Sequence, residues 1–172
     1  FARLRQGLEP VAPDPDLDLV AGFLYQINGE QPDAATARAL DAYFIVGAEH
    51  GFNASTFTAR VITSTRADIA SAVCGAIGAM KGPLHRGAPS EDVSLRVLAE
   101  KHPDRALKTN VEYYAAPVLM GVGLTPDLFP ATFALARHAG WTAHAIEQGA
   151  NNRLIRPDVK YIGSGPRPLP TA

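Results

Sequence analysis

Four stretches of this chain place a charged or titratable side chain at the edge of an apolar segment. They are AEHGFNAST at 48–56, KGPLHRGAP at 81–89, TNVEYYAAP at 109–117, and ARHAGW at 136–141 with its downstream partner LIRP at 154–157. Any one of them reads as surface decoration, and His50 taken alone reads most simply as a residue tolerated at a helix end. Together they supply two imidazoles, His50 and His85, one carboxylate, Glu112, and two guanidiniums, Arg137 and Arg156. Imidazoles and carboxylates exchange protons near neutral pH, and guanidinium forks match carboxylates with paired hydrogen bonds. The set suits proton abstraction beside a small polyanion.

Helices must position these groups. Asp33 precedes AATARALDAYFIVGAEH, where Ala37, Leu40, Tyr43, Phe44 and Gly47 recur at three- and four-residue steps, which predicts an amphipathic helix with an aspartate cap and His50 just past its end. From Ser55 to Met80 the pattern is again helical. Its second half alternates Ala, Gly, Ser and Cys with Val and Ile, which predicts a central helix enclosed by others. Lys81 suits the last turn of that helix, and Gly82-Pro83 stops it so that His85 falls on the following loop.

Thr125 and Pro126 open another helix, and Pro130 restarts or kinks it. Phe133, Arg137, Gly140, Trp141, His144, Ala145 and Gln148 then lie on neighbouring rows. His138 and His144 read as hydrogen-bonded structural residues of that helix. The proline-rich LEPVAPDPDLDL at 8–19 and the tail GSGPRPLPTA predict irregular chain. No segment alternates with period two, so the fold class is all-α.

The bulk numbers narrow the partners. A chain of 172 residues, 47% hydrophobic, can bury a substantial core. Its 16 basic and 17 acidic residues leave a net charge of −1, which gives no footprint for nucleic acid or an anionic membrane. The apolar run from Ile69 to Met80 falls short of the roughly 20 residues a bilayer needs. The one cysteine, Cys74, reads as a buried inert thiol, in keeping with a reducing, cytoplasmic compartment. The chain starts at Phe1 rather than methionine, so further residues are expected upstream. Nucleotide-loop, C-x-x-C and H-E-x-x-H templates are absent, and no metal site is expected.

NGEQPDAATARALDAYFIVGAEHGFNASTFTARVITSTRADIASAVCGAIGAMKGPLH resembles the core of a bacterial citrate synthase, and GWTAHAIEQGANNRLIRPDVKYIG resembles the end of the same enzyme. The resemblance implies the multi-helical large domain of that family and a condensation of acetyl-CoA with oxaloacetate to citrate and CoA, the entry to the tricarboxylic acid cycle. No resident cofactor is implied, since acetyl-CoA is a co-substrate. By the same resemblance His50 hydrogen-bonds oxaloacetate. His85 polarises the thioester carbonyl and stabilises the enolate, while Ser55, supported by Asn53, orients its ring. Arg137 and Arg156 clamp the substrate carboxylates, Arg156 from the partner subunit of a homodimer. Glu112, in NVEYY, stands where most members of the family have aspartate, and is the implied general base, its carboxyl displaced by one methylene.

Three departures accompany that resemblance. Arg86 follows the loop histidine where the family has a small residue, and Pro89 stands where it commonly has asparagine. The element with the family's third histidine is absent, and His102 is not expected to replace it. Only a short segment separates Ala88 from Asn110, where the family carries its small CoA-binding domain. The 172 residues are therefore expected to be the large, dimerisation and active-site domain, interrupted near 89–93. Two other functions fit the same residues: a 2-methylcitrate synthase using propionyl-CoA, and a non-catalytic helical dimer should the polypeptide be no longer than this.

Overall fold

Aspartate and asparagine mark the starts of four of the helices. The structure, a computed structural model, describes residues 1–82, 85, 111–160, 162–163 and 165, with backbone alone for 111–113. A short α1 (Ala2–Arg5) precedes the proline-rich arm, which is irregular as expected. Then follow α2 (Leu19–Asn28), α3 (Ala34–Ala48), α4 (Ala54–Ser64) and α5 (Ile69–Met80). After them come α6 (Val111–Gly121), a 3-10 turn (Pro126–Leu128) and the long α7 (Phe129–Ala150). Asp18, Asp33, Asn53 and Asp68 cap α2 to α5, each side-chain oxygen accepting a backbone N–H of the first turn. Those N–H groups have no partner within the helix, so each cap satisfies a donor that would otherwise need water. Among the described residues there is no strand, and the all-α expectation holds.

Two apolar clusters form the core. Val20, Leu24, Leu40, Leu119, Val122, Leu124 and Leu128 join α2, α3, α6 and the 3-10 turn, with Phe23 and Phe44 in tilted contact 6.0 Å apart beside them. Ala59, Ala72, Val73, Ala76, Met80, Trp141 and Ala145 join α4, α5 and α7. Trp141 is completely buried. An indole hides about 150–250 Å² of surface, so its transfer alone contributes about 4–6 kcal/mol before entropy is charged. The α7 face read from the sequence is the face observed: Arg137, Gly140, Trp141, Ala145 and Gln148 are buried along it.

The structure departs from three expectations. The pattern from Ser55 to Met80 is two helices, with a break over residues 65–68. Ser64 and Thr65 donate their hydroxyls to the carbonyls of Val61 and Ile62, and Arg66 turns into the left-handed region at φ 68°. Hydroxyls that occupy carbonyls in this way favour a helix end, and Asp68 then caps a new start. Nor is α5 enclosed on every side. Ala72, Val73, Ala76 and Met80 are buried, whereas Ile69, Ile77 and Cys74 are exposed, so the thiol is not the buried one expected. Small residues give both faces of α5 a similar apolar character, and only one face meets α4 and α7.

Candidate active site

The start of α4 carries the densest polar knot. Ser55, fully buried, is at its centre. Its Oγ donates to Asn53 Oδ1 at 2.8 Å and accepts the indole N–H of Trp141 at 3.1 Å. His85 Nε2 lies 2.9 Å from the same Oγ, competing with Asn53 Oδ1 for its single hydrogen, and accepts the backbone N–H of Ser55 at 3.2 Å. An imidazole nitrogen that accepts an N–H carries no proton, so the ring proton of the neutral form sits on Nδ1. Asn53 Oδ1 is occupied twice, by Ser55 Oγ and by the Thr56 N–H it caps at 3.0 Å. The knot therefore fixes both the tilt of the His85 ring and its tautomer.

The end of α3 is held against α7 by backbone contact and one buried cation. A Cβ on Gly140 would overlap the Ala48 carbonyl oxygen and stand 2.8 Å from Glu49 Oε2, and one on Gly47 would stand 3.0 Å from the Ala136 Cβ. Only glycines let the two helices come this close. Arg137, buried, donates Nε–H to the Gly47 carbonyl at 2.6 Å, and its guanidinium lies over the Phe133 ring at 4.8 Å. A cation suits the negative end of α3, where carbonyls lack helical partners. His50 follows three residues later, exposed, on the turn into Asn53.

Sequence reasoning missed a second polar group beside this turn. His144 Nε2 lies 3.2 Å from Glu49 Oε2, and its Nδ1 receives Arg60 Nη1 at 3.1 Å. Arg60 also pairs with Glu147, which holds that carboxyl below the ordinary glutamate range, chiefly through their hydrogen bond. Phe52 covers the group, edge-on to His144 at 6.3 Å and beneath Arg60 at 5.7 Å. The only hint in the sequence was His144 on the same rows as Arg137 and Trp141. The reading of His144 as hydrogen-bonded holds, but His138 is exposed, with a ring that makes no hydrogen bond among the described residues.

Among the predicted site residues, Asn53, Ser55 and His85 are bonded to one another, and α7 places Arg137 at the neighbouring helix end that carries His50. Arg156 is elsewhere in this chain. The segment after α7 is tied to the far end of α4, by Asn152 Nδ2 to the Ser64 carbonyl and by the Ile155 N–H to Ser64 Oγ, both at 3.0 Å. Nine residues of helix separate Ser64 from Ser55, about 13 Å along its axis. Arg156, exposed, projects beyond that anchor. Glu112 lies in the first turn of α6, and its side chain, like Arg86, Pro89, His102 and the expected interruption at 89–93, falls outside the described residues. The tail is described only at Gly163 and Gly165.

Fold and knot together define a helical domain built to orient one histidine at the mouth of a helix. The family model for the citrate synthase C-terminal domain matches the chain over residues 1–95 and 90–158. The chain belongs to the citrate synthase family. It is 35% identical to citrate synthase 2 of Bacillus subtilis, with 95% of this chain and 61% of that protein covered. It is 34% identical to 2-methylcitrate synthase 2 of Corynebacterium glutamicum, with 96% and 61% covered. The crystal structure of citrate synthase from Thermotoga maritima matches with a TM-score of 0.75 at 31% identity, over 98% of this chain and 64% of that one. The chain thus spans 61% of the length of both sequence relatives.

Proposed function

We propose that the protein carrying this chain condenses acetyl-CoA with oxaloacetate and hydrolyses the resulting citryl thioester to citrate and CoA. The observation that carries the reading is the Ser55 N–H bond to His85 Nε2, because it leaves Nδ1–H as a donor without a proton transfer. In the proposed sequence Glu112 removes a methyl proton of acetyl-CoA while His85 donates to the developing enolate oxygen. The enolate carbon then forms a bond to the keto carbon of oxaloacetate, whose oxygen takes a proton from solvent as Glu112 returns its own; water finally cleaves the thioester, its hydroxyl bonding to the acyl carbon and its proton going to the departing CoA thiolate. His50, Arg137 and Arg156 bind the oxo-acid, and guanidinium forks suit its two carboxylates.

The anchor at Ser64 supports a site shared between two copies, with Arg156 reaching into the neighbour's cleft. The exposed Ile69, Ile77 and Ile146 supply apolar surface for that homodimer. The meeting of the two family-model segments at residues 90–95 supports a small CoA-binding domain belonging between them. A cytoplasmic location goes with the same reading.

The similarity to 2-methylcitrate synthase 2 favours a second reading, with propionyl-CoA as acyl donor. One methylene is worth about 1–3 kcal/mol in an apolar pocket. Turnover of acetyl-CoA and propionyl-CoA at equal oxaloacetate separates the two. A kcat/KM at least about tenfold higher for acetyl-CoA is expected, and the reverse order would transfer the assignment.

A further inference from the structure

We infer that His144 is the positioning residue for His50, acting through Glu49. The inference rests on the reading of His50 as an oxaloacetate ligand and adds to it the group that holds it in place. His50 is exposed and sits on a turn, so its own packing does little to fix it. Its neighbour Glu49 is fixed. The Glu49 carboxylate lies across Gly140, and His144, one helical turn further along α7, meets it at 3.2 Å.

Arg60 makes that contact directional. It has only donors, so its 3.1 Å approach to His144 Nδ1 makes this nitrogen an acceptor and leaves the proton on Nε2, pointed at Glu49. Glu147 holds Arg60 from the solvent side, and the Phe52 ring covers the assembly. Two helices, α4 and α7, thus grip the residue directly before His50. An imidazole with one nitrogen accepting and the other donating joins them.

Side-chain chemistry separates this role from plain stability. Gln places an amide nitrogen where Nε2 stands and keeps the donation to Glu49. Asn reaches only the Nδ1 position, so it answers Arg60 and drops Glu49. In the protein at its natural length, His144→Asn is expected to raise both the KM and the calorimetric Kd for oxaloacetate about tenfold, with the KM for acetyl-CoA within about twofold. His144→Gln is expected to stay within about threefold of wild type for oxaloacetate.

Glu49→Ala gives an independent sign. Its side chain is exposed, so truncation leaves the fold intact, and removal of a negative charge near a dianion would by itself tighten binding. Positioning requires the opposite, a weakening of the same order as His144→Asn. Unchanged or tighter oxaloacetate binding in Glu49→Ala, or equal constants for the Asn and Gln variants, would overturn the inference. His50→Ala locates the failure. If it weakens oxaloacetate binding while Glu49→Ala does not, only the positioning role falls. If it leaves binding unchanged, the reading of His50 falls and the inference goes with it.

Discussion

The indole N–H of Trp141 meets the Ser55 hydroxyl at 3.1 Å, and the same hydroxyl lies 2.9 Å from His85 Nε2. A fully buried core tryptophan and the histidine proposed to stabilise the enolate therefore meet at one hydroxyl. Arg137, Trp141 and His144 lie on successive turns of α7 and touch, in order, the end of α3, the start of α4 and the corner between them. Helix α7 is the template on which the candidate site is assembled.

Removing Ser55 Oγ should expose that dependence. Ser55→Ala leaves the Trp141 N–H buried without a partner, at a cost of about 1–3 kcal/mol, and Trp141→Phe costs about 2–4 kcal/mol from lost contacts and cavity. The double variant is expected to lose less than the sum, since neither orphaned group then remains. Urea denaturation of all four proteins measures it. Strict additivity would mean that the two groups do not meet.

Gly140 should tolerate no side chain. A Cβ there would overlap the backbone carbonyl of Ala48, which cannot move without shifting α3. Gly140→Ala is expected to cost about 3 kcal/mol or more. At Gly149 a Cβ would find only Thr63 Cγ2, at 4.0 Å, and Gly149→Ala should stabilise the helix by about 0.5–1 kcal/mol. Thermal melts of the pair should move in opposite directions, and parallel shifts would contradict the close approach of α3 and α7.

How much of this was legible depended on distance along the chain. The Asp33 cap and the buried rows of α7 follow from local spacing, and the sequence shows both. The break at Thr65–Asp68 has no Gly or Pro to announce it. It arises from hydroxyls on carbonyls, a competition that periodicity does not register. The exposed face of α5 was hidden because small apolar residues look alike on either side. The Glu49–His144–Arg60 group joins positions about a hundred residues apart with no spacing rule between them. What tied His50, Ser55 and His85 into one expectation was the family resemblance, whereas the bond from Trp141 to Ser55 became visible only in three dimensions.

Acid should weaken the helix starts. The Asp33 and Asp68 carboxyls lie below their ordinary 3.8, each chiefly because a backbone N–H, of Thr36 and Ser71 respectively, donates to the charged form. A folded-state pKa below the unfolded one contributes stability that is fully present above the unfolded value and is lost as pH falls through the folded value. Wild-type protein should therefore lose stability as pH drops below 3.8. Asn caps without titrating, so the Asp33→Asn/Asp68→Asn variant should lose less between neutral pH and about pH 3. Equal losses in urea midpoint would show that these caps do not titrate with folding.

The proton-transfer step is the most direct point of attack. Oxaloacetate-dependent release of CoA from acetyl-CoA, followed with a thiol reagent, should be present in the natural-length protein and fall at least about a hundredfold in kcat in Glu112→Gln, with the KM for oxaloacetate little changed. Wild-type kcat in Glu112→Gln, or no release of CoA by the unaltered protein, would contradict the account.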